Sequence, residues 1–240
     1  MNLIEREIKG WMFVPFTGIM LMLIFGAMNW YENRVINKIV VKGNNAIQEE
    51  EILRLASVKI GSKLSSLNLS EIRSKIESHD FVKQAEIYVN LPDVLFIEVF
   101  ERKPIAMMTY GNEIYYVDSE GKVIPFDVVK KIFPVPLLSD VGYKPINIKL
   151  DSADQLRKQI EIIKVAMEEK VYDLISEVKI KNNEFVLLTS DGAVFVFLGD
   201  GDFKEKFVLL KEFWNQVVSK RGYPVYIDLR YEGKIYAKFN

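Results

Sequence analysis

The residues able to do chemistry in this chain are few, and their spacing argues against each reaction in turn. Histidine occurs once, as His79, and cysteine does not occur. A zinc hydrolase and a Ser-His-Asp hydrolase would both have to run through that one imidazole. It stands in Ser78-His79-Asp80 at the expected end of a helix, where a cationic ring suits the negative end of the dipole. Without cysteine there are no disulfides, thiolate metal sites or thiol nucleophiles. Gly199-Asp200-Gly201-Asp202 looks like a piece of a calcium or phosphate loop. It lacks the later carboxylates of the first and presents two acids to the second, so it reads as a turn followed by a helix cap. Glu98 and Glu101 lie three apart on one expected strand and face opposite ways. Carboxylate-only catalysis of the glycosidase kind is what this inventory leaves open. We expect no catalytic residue, no metal and no cofactor.

The elements that carry these residues begin with an apolar run. Of 240 residues, 32 are basic and 33 acidic, well mixed, for a net charge of −1. No basic stripe is present to attract nucleic acid. From Gly10 to Tyr31, however, 22 residues pass without a charge. As a helix they span roughly 33 Å, enough for the hydrocarbon core of a bilayer. Trp11 at one end and Trp30-Tyr31 at the other sit where interfacial aromatic anchors belong. The run is too long for the core of a signal peptide, and no small-residue cleavage site follows Phe25. The reading is an uncleaved transmembrane helix over 11–31 behind a short tail, 1–10. Arg6 and Lys9 precede it and Arg34, Lys38 and Lys42 follow, so charge alone leaves the orientation open.

Beyond it, hydrophobic alternation predicts a strand over Ile36–Lys42 and a turn at Gly43-Asn44-Asn45. Asn45 is expected to cap a helix bearing Ile52, Leu55 and Ala56 on one face, and Asn68 a second bearing Leu69, Ile72 and Ile76. Strands follow around Ala85-Ile87-Val89 and Leu95-Ile97-Val99, split by the turn Asn90-Leu91-Pro92-Asp93. This β-α-α-β-β order closes as a small sheet with both helices on one face. The remainder alternates as short strands at Ile105–Thr109, Ile114–Val117, Val123–Pro125, Ser176–Ile180, Glu184–Thr189 and Ala193–Leu198. An irregular crossing is expected over 130–144. A helix starting at Asp151 or Ser152 should bury Leu156, Ile160, Ile163 and Met167; another, capped by Asp202, should bury Phe203, Phe207, Leu210, Trp214 and Val217. The chain is thus of α+β class.

A final hairpin pairs Pro224–Arg230 with Lys234–Phe239 across Tyr231-Glu232-Gly233. A last strand can lie at a sheet edge with unpaired N–H and C=O groups, which are either shielded or used to bind another strand. Tyr231, Tyr236 and Phe239 are large for such a place, whereas Lys234 and Lys238 are the usual protective charges.

Several segments together resemble one known family. Val41-Lys42-Gly43-Asn44, Phe81-Val82-Lys83-Gln84-Ala85 and Leu91-Pro92-Asp93 resemble a polypeptide-transport-associated (POTRA) domain, and Glu98 through Ala106 looks like its exit in the bacterial cell-division family FtsQ/DivIB. Val117-Asp118-Ser119-Glu120-Gly121 and Tyr226-Ile227-Asp228-Leu229-Arg230-Tyr231 are similar to further motifs of that family. The resemblance implies a POTRA domain over 36–104 and a C-terminal β domain over 105–240. It implies a non-catalytic, single-pass scaffold with its bulk outside the cytoplasm, at the division septum of the inner membrane. Its partners would be FtsB-like and FtsL-like bitopic division proteins, with other septal proteins reached through the POTRA domain, and it would help regulate septal peptidoglycan synthesis. Partner binding would fall on Tyr231, Gly233, Lys234, Ile235, Tyr236, Ala237 and Lys238 of the last strand. An anchored cell-wall enzyme, or a POTRA module of a protein-export system, is the alternative.

Overall fold

The computed structural model describes residues 13–90, 92–140, 154–182 and 184–240, in two units that divide between Glu101 and Arg102. In the first, helix α1 spans Phe13–Glu32. From Phe16 to Trp30 its large apolar side chains are exposed all round. Trp11 lies outside the described residues, as does the Tyr31 side chain. Among the described residues no helix is long and apolar enough to cross a membrane.

Strand β1 (Lys38–Lys42), helices α2 (Glu49–Ala56) and α3 (Leu69–Glu77), and strands β2 (Val82–Asn90) and β3 (Val94–Glu101) follow in the expected order. The sheet is three-stranded, β1-β3-β2, with β1 parallel and β2 antiparallel to the central β3. Ile52, Ala56, Ile72 and Ile76 of the helices are buried, as are Ala85, Ile87, Leu95, Ile97 and Val99 of the sheet. Asn68 caps α3 as its type predicts, accepting the Glu71 N–H at 3.2 Å.

Asn45 does not cap α2, which instead begins after Gln48 with no side-chain cap. The Glu101 carboxylate has taken the donors of that turn. Its Oε1 accepts the N–H groups of Asn45, Ala46 and Ile47 at 2.8, 2.9 and 2.9 Å. Gly43 lets the chain reach this turn: its φ is +81°, and an added Cβ would lie 2.1 Å from the Val99 carbonyl oxygen. His79 also differs from expectation. Its Nδ1 accepts the Phe81 N–H at 3.2 Å, so the ring serves the loop leaving α3 and not the helix dipole.

The second unit is built on a nine-stranded mixed sheet. Its strands are β4 (Pro104–Tyr110), β5 (Glu113–Asp118), β6 (Val123–Pro125), β7 (Leu137–Leu138), β8 (Ile175–Lys181), β9 (Glu184–Thr189), β10 (Phe195–Gly199), β11 (Tyr226–Asp228) and β12 (Tyr236–Lys238). The spatial order is β12-β11-β10-β9-β8-β7-β4-β5-β6. Helix α4 (Asp154–Glu168) and helix α5 (Phe203–Phe213) share one core with the sheet, through Leu156, Ile160, Ile163, Phe203, Phe207 and Leu210.

Four details depart from the sequence reading. Met167 is exposed, and Ala166 takes the buried place in that turn of α4. Asp202 adopts φ 51° and makes no side-chain cap. After α5 the helix loosens into a π turn over Trp214–Val218, and the extra residue moves the buried position from Val217 to Val218. The two-residue β7 was hidden in the crossing expected to be irregular. It is held between β4 and β8, both parallel to it, and buried Gln159 donates to the Ser139 and Val178 carbonyls at 3.0 Å each. The first residues expected of α4, Asp151 and Ser152, lie outside the described part.

Candidate functional site: an open strand edge

Among the described residues, strand β12 is the last in the sheet order, with β11 beside it. The two run antiparallel, pairing Tyr226 with Lys238, Ile227 with Ala237 and Asp228 with Tyr236. β11 in turn lies parallel to β10. Gly233, at φ 63°, turns the chain between them, and Lys234 N–H donates to the Tyr231 carbonyl at 3.1 Å.

The orientation of the backbone decides what this edge can do. Val225 N–H donates to the Lys238 carbonyl at 2.7 Å, so that carbonyl faces β11. Antiparallel strands alternate, and the N–H and C=O of Ala237 therefore face outward, where a further strand would lie. Side chains alternate too. Ile235 and Ala237 pack against the core, while Tyr236 and Lys238 are exposed on the opposite face. The rings of Tyr231 and Tyr236 meet edge to face at 5.2 Å, and each is at least half exposed, at 55 % and 50 %. A strand laid along β12 would bond to main chain, bury one row of side chains over Ile235 and Ala237, and touch the tyrosine pair with the other.

The predicted residues Tyr231, Gly233, Lys234, Ile235, Tyr236, Ala237 and Lys238 thus fall on one hairpin, with Ile235 and Ala237 on the core side. What sequence reasoning missed is the support beneath it. Asp228 is buried, and Arg230 grips it through Nε at 2.9 Å and Nη2 at 2.6 Å. Arg230 also reaches Glu184 on β9 at 3.0 Å and lies 5.3 Å from the Phe197 ring centroid on β10. The guanidinium holds the Asp228 carboxyl below the usual range, and the two carboxylates push the Arg230 value upward. The available signal was the Asp-x-Arg spacing, which places both side chains on one face of a strand. Near the far end of β12, the Arg221 guanidinium lies 4.7 Å from the Phe239 ring centroid.

Comparison with known proteins agrees with this architecture. Residues 34–102 match the family model described as POTRA domain, FtsQ-type, and residues 103–237 match FtsQ/DivIB, C-terminal related. The class is therefore a POTRA-bearing protein with an FtsQ-type second unit. The chain belongs to the FtsQ/DivIB family. A relative named Cell division protein FtsQ from Rhodothermus marinus is 29 % identical over 229 residues, covering 91 % of this chain and 83 % of the relative. One of the same name from Geotalea daltonii is 27 % identical over 207 residues, 85 % and 75 % of the two chains. In the Rickettsia bellii relative the match is 31 % over 113 residues, 47 % of this chain and only 41 % of the other.

Proposed function

We propose that this chain is a non-catalytic scaffold of bacterial cell division that captures FtsB-like and FtsL-like bitopic partners by β-augmentation on β12. The observation that carries the reading is the outward-facing main chain of Ala237, flanked by an apolar row on one face and the Tyr231–Tyr236 pair on the other. An extended partner segment would gain register from backbone hydrogen bonds and specificity from alternate side chains. Through these partners the chain would help regulate septal peptidoglycan synthesis. The family match and the shared name of its relatives support the division role.

In the same reading α1 lies in the inner membrane, with Trp30 as an anchor and the two units outside the cytoplasm at the septum. A helix exposing Phe16, Leu21, Leu23 and Phe25 all round is costly in water and stable in lipid. Retention in the membrane pellet after alkaline carbonate extraction is the expected result, and release into the supernatant contradicts the anchor.

Partner capture is tested by pull-down from detergent-solubilised cells. Tyr231→Glu, or removal of 234–240, should abolish recovery of the division partners while the first unit stays folded. Undiminished recovery from both variants would overturn the reading.

A further inference from the structure

Among the described residues, helices cover one face of the first unit's sheet. On the other, pairing places Val40, Phe96 and Tyr88 in one cross-strand row and Lys42, Glu98 and Glu86 in the next. Phe96 and Tyr88 stack in parallel, 5.2 Å apart at 4°, and the Lys42 ammonium lies 5.1 Å from the Phe96 ring centroid. Tyr88 and Phe100 are each 42 % exposed. The face thus carries an apolar row beside a charged one, with Lys42 on the β1 edge, Glu98 on the central strand and Glu86 on the β2 edge.

That charge order is self-complementary at the two edges, where Lys42 and Glu86 stand, and sets Glu98 against its own counterpart at the centre, between the two lysines. We propose that this open face pairs with the same face of a second copy of the chain, about a two-fold axis running along β3. The rotation lays β1 of one copy over β2 of the other, so each Lys42 meets the partner copy's Glu86 and the aromatic rows pack against each other. Stacked sheets sit about 10 Å apart, a gap that a lysine and a glutamate reaching from opposite sides can close. The same axis keeps both α1 helices at one end of the pair, as two chains in one bilayer require. From strand spacing and rise, the face offers on the order of 250 Å² per copy, well under the roughly 800 Å² per partner of a stable soluble complex. The pair is therefore weak in free solution and forms where a shared membrane concentrates the chains. This last point rests on the membrane reading of α1; the pairing of faces does not.

The natural chain has no cysteine, so introduced thiols report cleanly. A gap of about 10 Å between facing sheets is too wide for a disulfide, so the probe is a bifunctional maleimide of about that reach acting on chains with one cysteine each. Full chains carrying Lys42→Cys alone and Glu86→Cys alone, co-expressed and treated in cell membranes with that maleimide, are expected to give a covalent dimer at least tenfold above a pairing in which Arg73→Cys, on exposed α3 surface, replaces Glu86→Cys. In energy transfer between labelled full chains, Glu86→Lys should remove the signal, and adding Lys42→Glu should restore it. Cross-linking no better than the control, or no rescue by the double charge exchange, overturns the proposal. Carbonate extraction reads the anchor separately. A chain that extracts as soluble yet cross-links retains the paired face and loses the anchor, and one that stays in the membrane without cross-linking loses the face.

Discussion

Arg230 closes on Asp228 with both ends of its guanidinium, Nε to Oδ1 at 2.9 Å and Nη2 to Oδ2 at 2.6 Å. This pair stands at the end of β11, beside the turn that presents Tyr231, and ties that turn to β9 through Glu184. Asp228→Asn should destabilise the second unit by roughly 2 kcal/mol, the scale of losing charge-assisted hydrogen bonds to a buried carboxylate. Denaturant midpoints measured on the full chain check this.

The same pair predicts an acid limb. The folded-state pKa of Asp228 is depressed, chiefly by its hydrogen bond to Arg230. Its contribution is therefore complete above the unfolded carboxyl value, about 3.9, and is lost as pH falls through the lower folded value. The loss of stability between about pH 5 and strongly acidic pH should be shallower in Asp228→Asn than in the natural chain. Identical slopes would contradict the role given to the pair.

Glu101 gathers three successive main-chain N–H groups, a nest that favours an anion. Glu101→Ala leaves these donors to water or unpaired and should cost the first unit about 2–3 kcal/mol. Hydrogen exchange at residues 45–47 should accelerate before exchange at the strands does.

Gly43→Ala tests the close approach beneath that nest. The left-handed φ and the 2.1 Å contact with the Val99 carbonyl oxygen must both be relieved by moving backbone. A loss above about 2 kcal/mol is expected, confined to the first unit. Limited proteolysis should open that unit while the second stays resistant.

How much of this was legible in the residues follows from the range of the forces involved. Alternation at Leu95-Ile97-Val99 and the Asn68 cap depend on neighbours in sequence, and both read directly. Asn45 failed as a cap because its turn is claimed by Glu101, 56 residues away. β7 has two residues and no pattern of its own; parallel partners on both sides make it a strand. The π turn at Trp214–Val218 shifts a helical stripe by one place, which a fixed 3.6-residue period misses. At the candidate site the hairpin, its turn and its large aromatics were visible, since turn chemistry is local. That Ala237 sends its backbone outward was not, because only the pairing register with β11 decides it.

That register supplies the most direct measurement of the central claim. Proline lacks the N–H and is tolerated on an edge strand where that group faces outward. Ala237→Pro should therefore leave β11 and β12 paired and the second unit folded, yet remove the donor an incoming strand requires. Affinity of the full chain for the co-purifying division partners should fall at least thirtyfold, about the 2 kcal/mol of a hot-spot loss, with hydrogen exchange of β11 unchanged. Undiminished affinity in a folded Ala237→Pro chain would show that the partners do not add a strand at this edge.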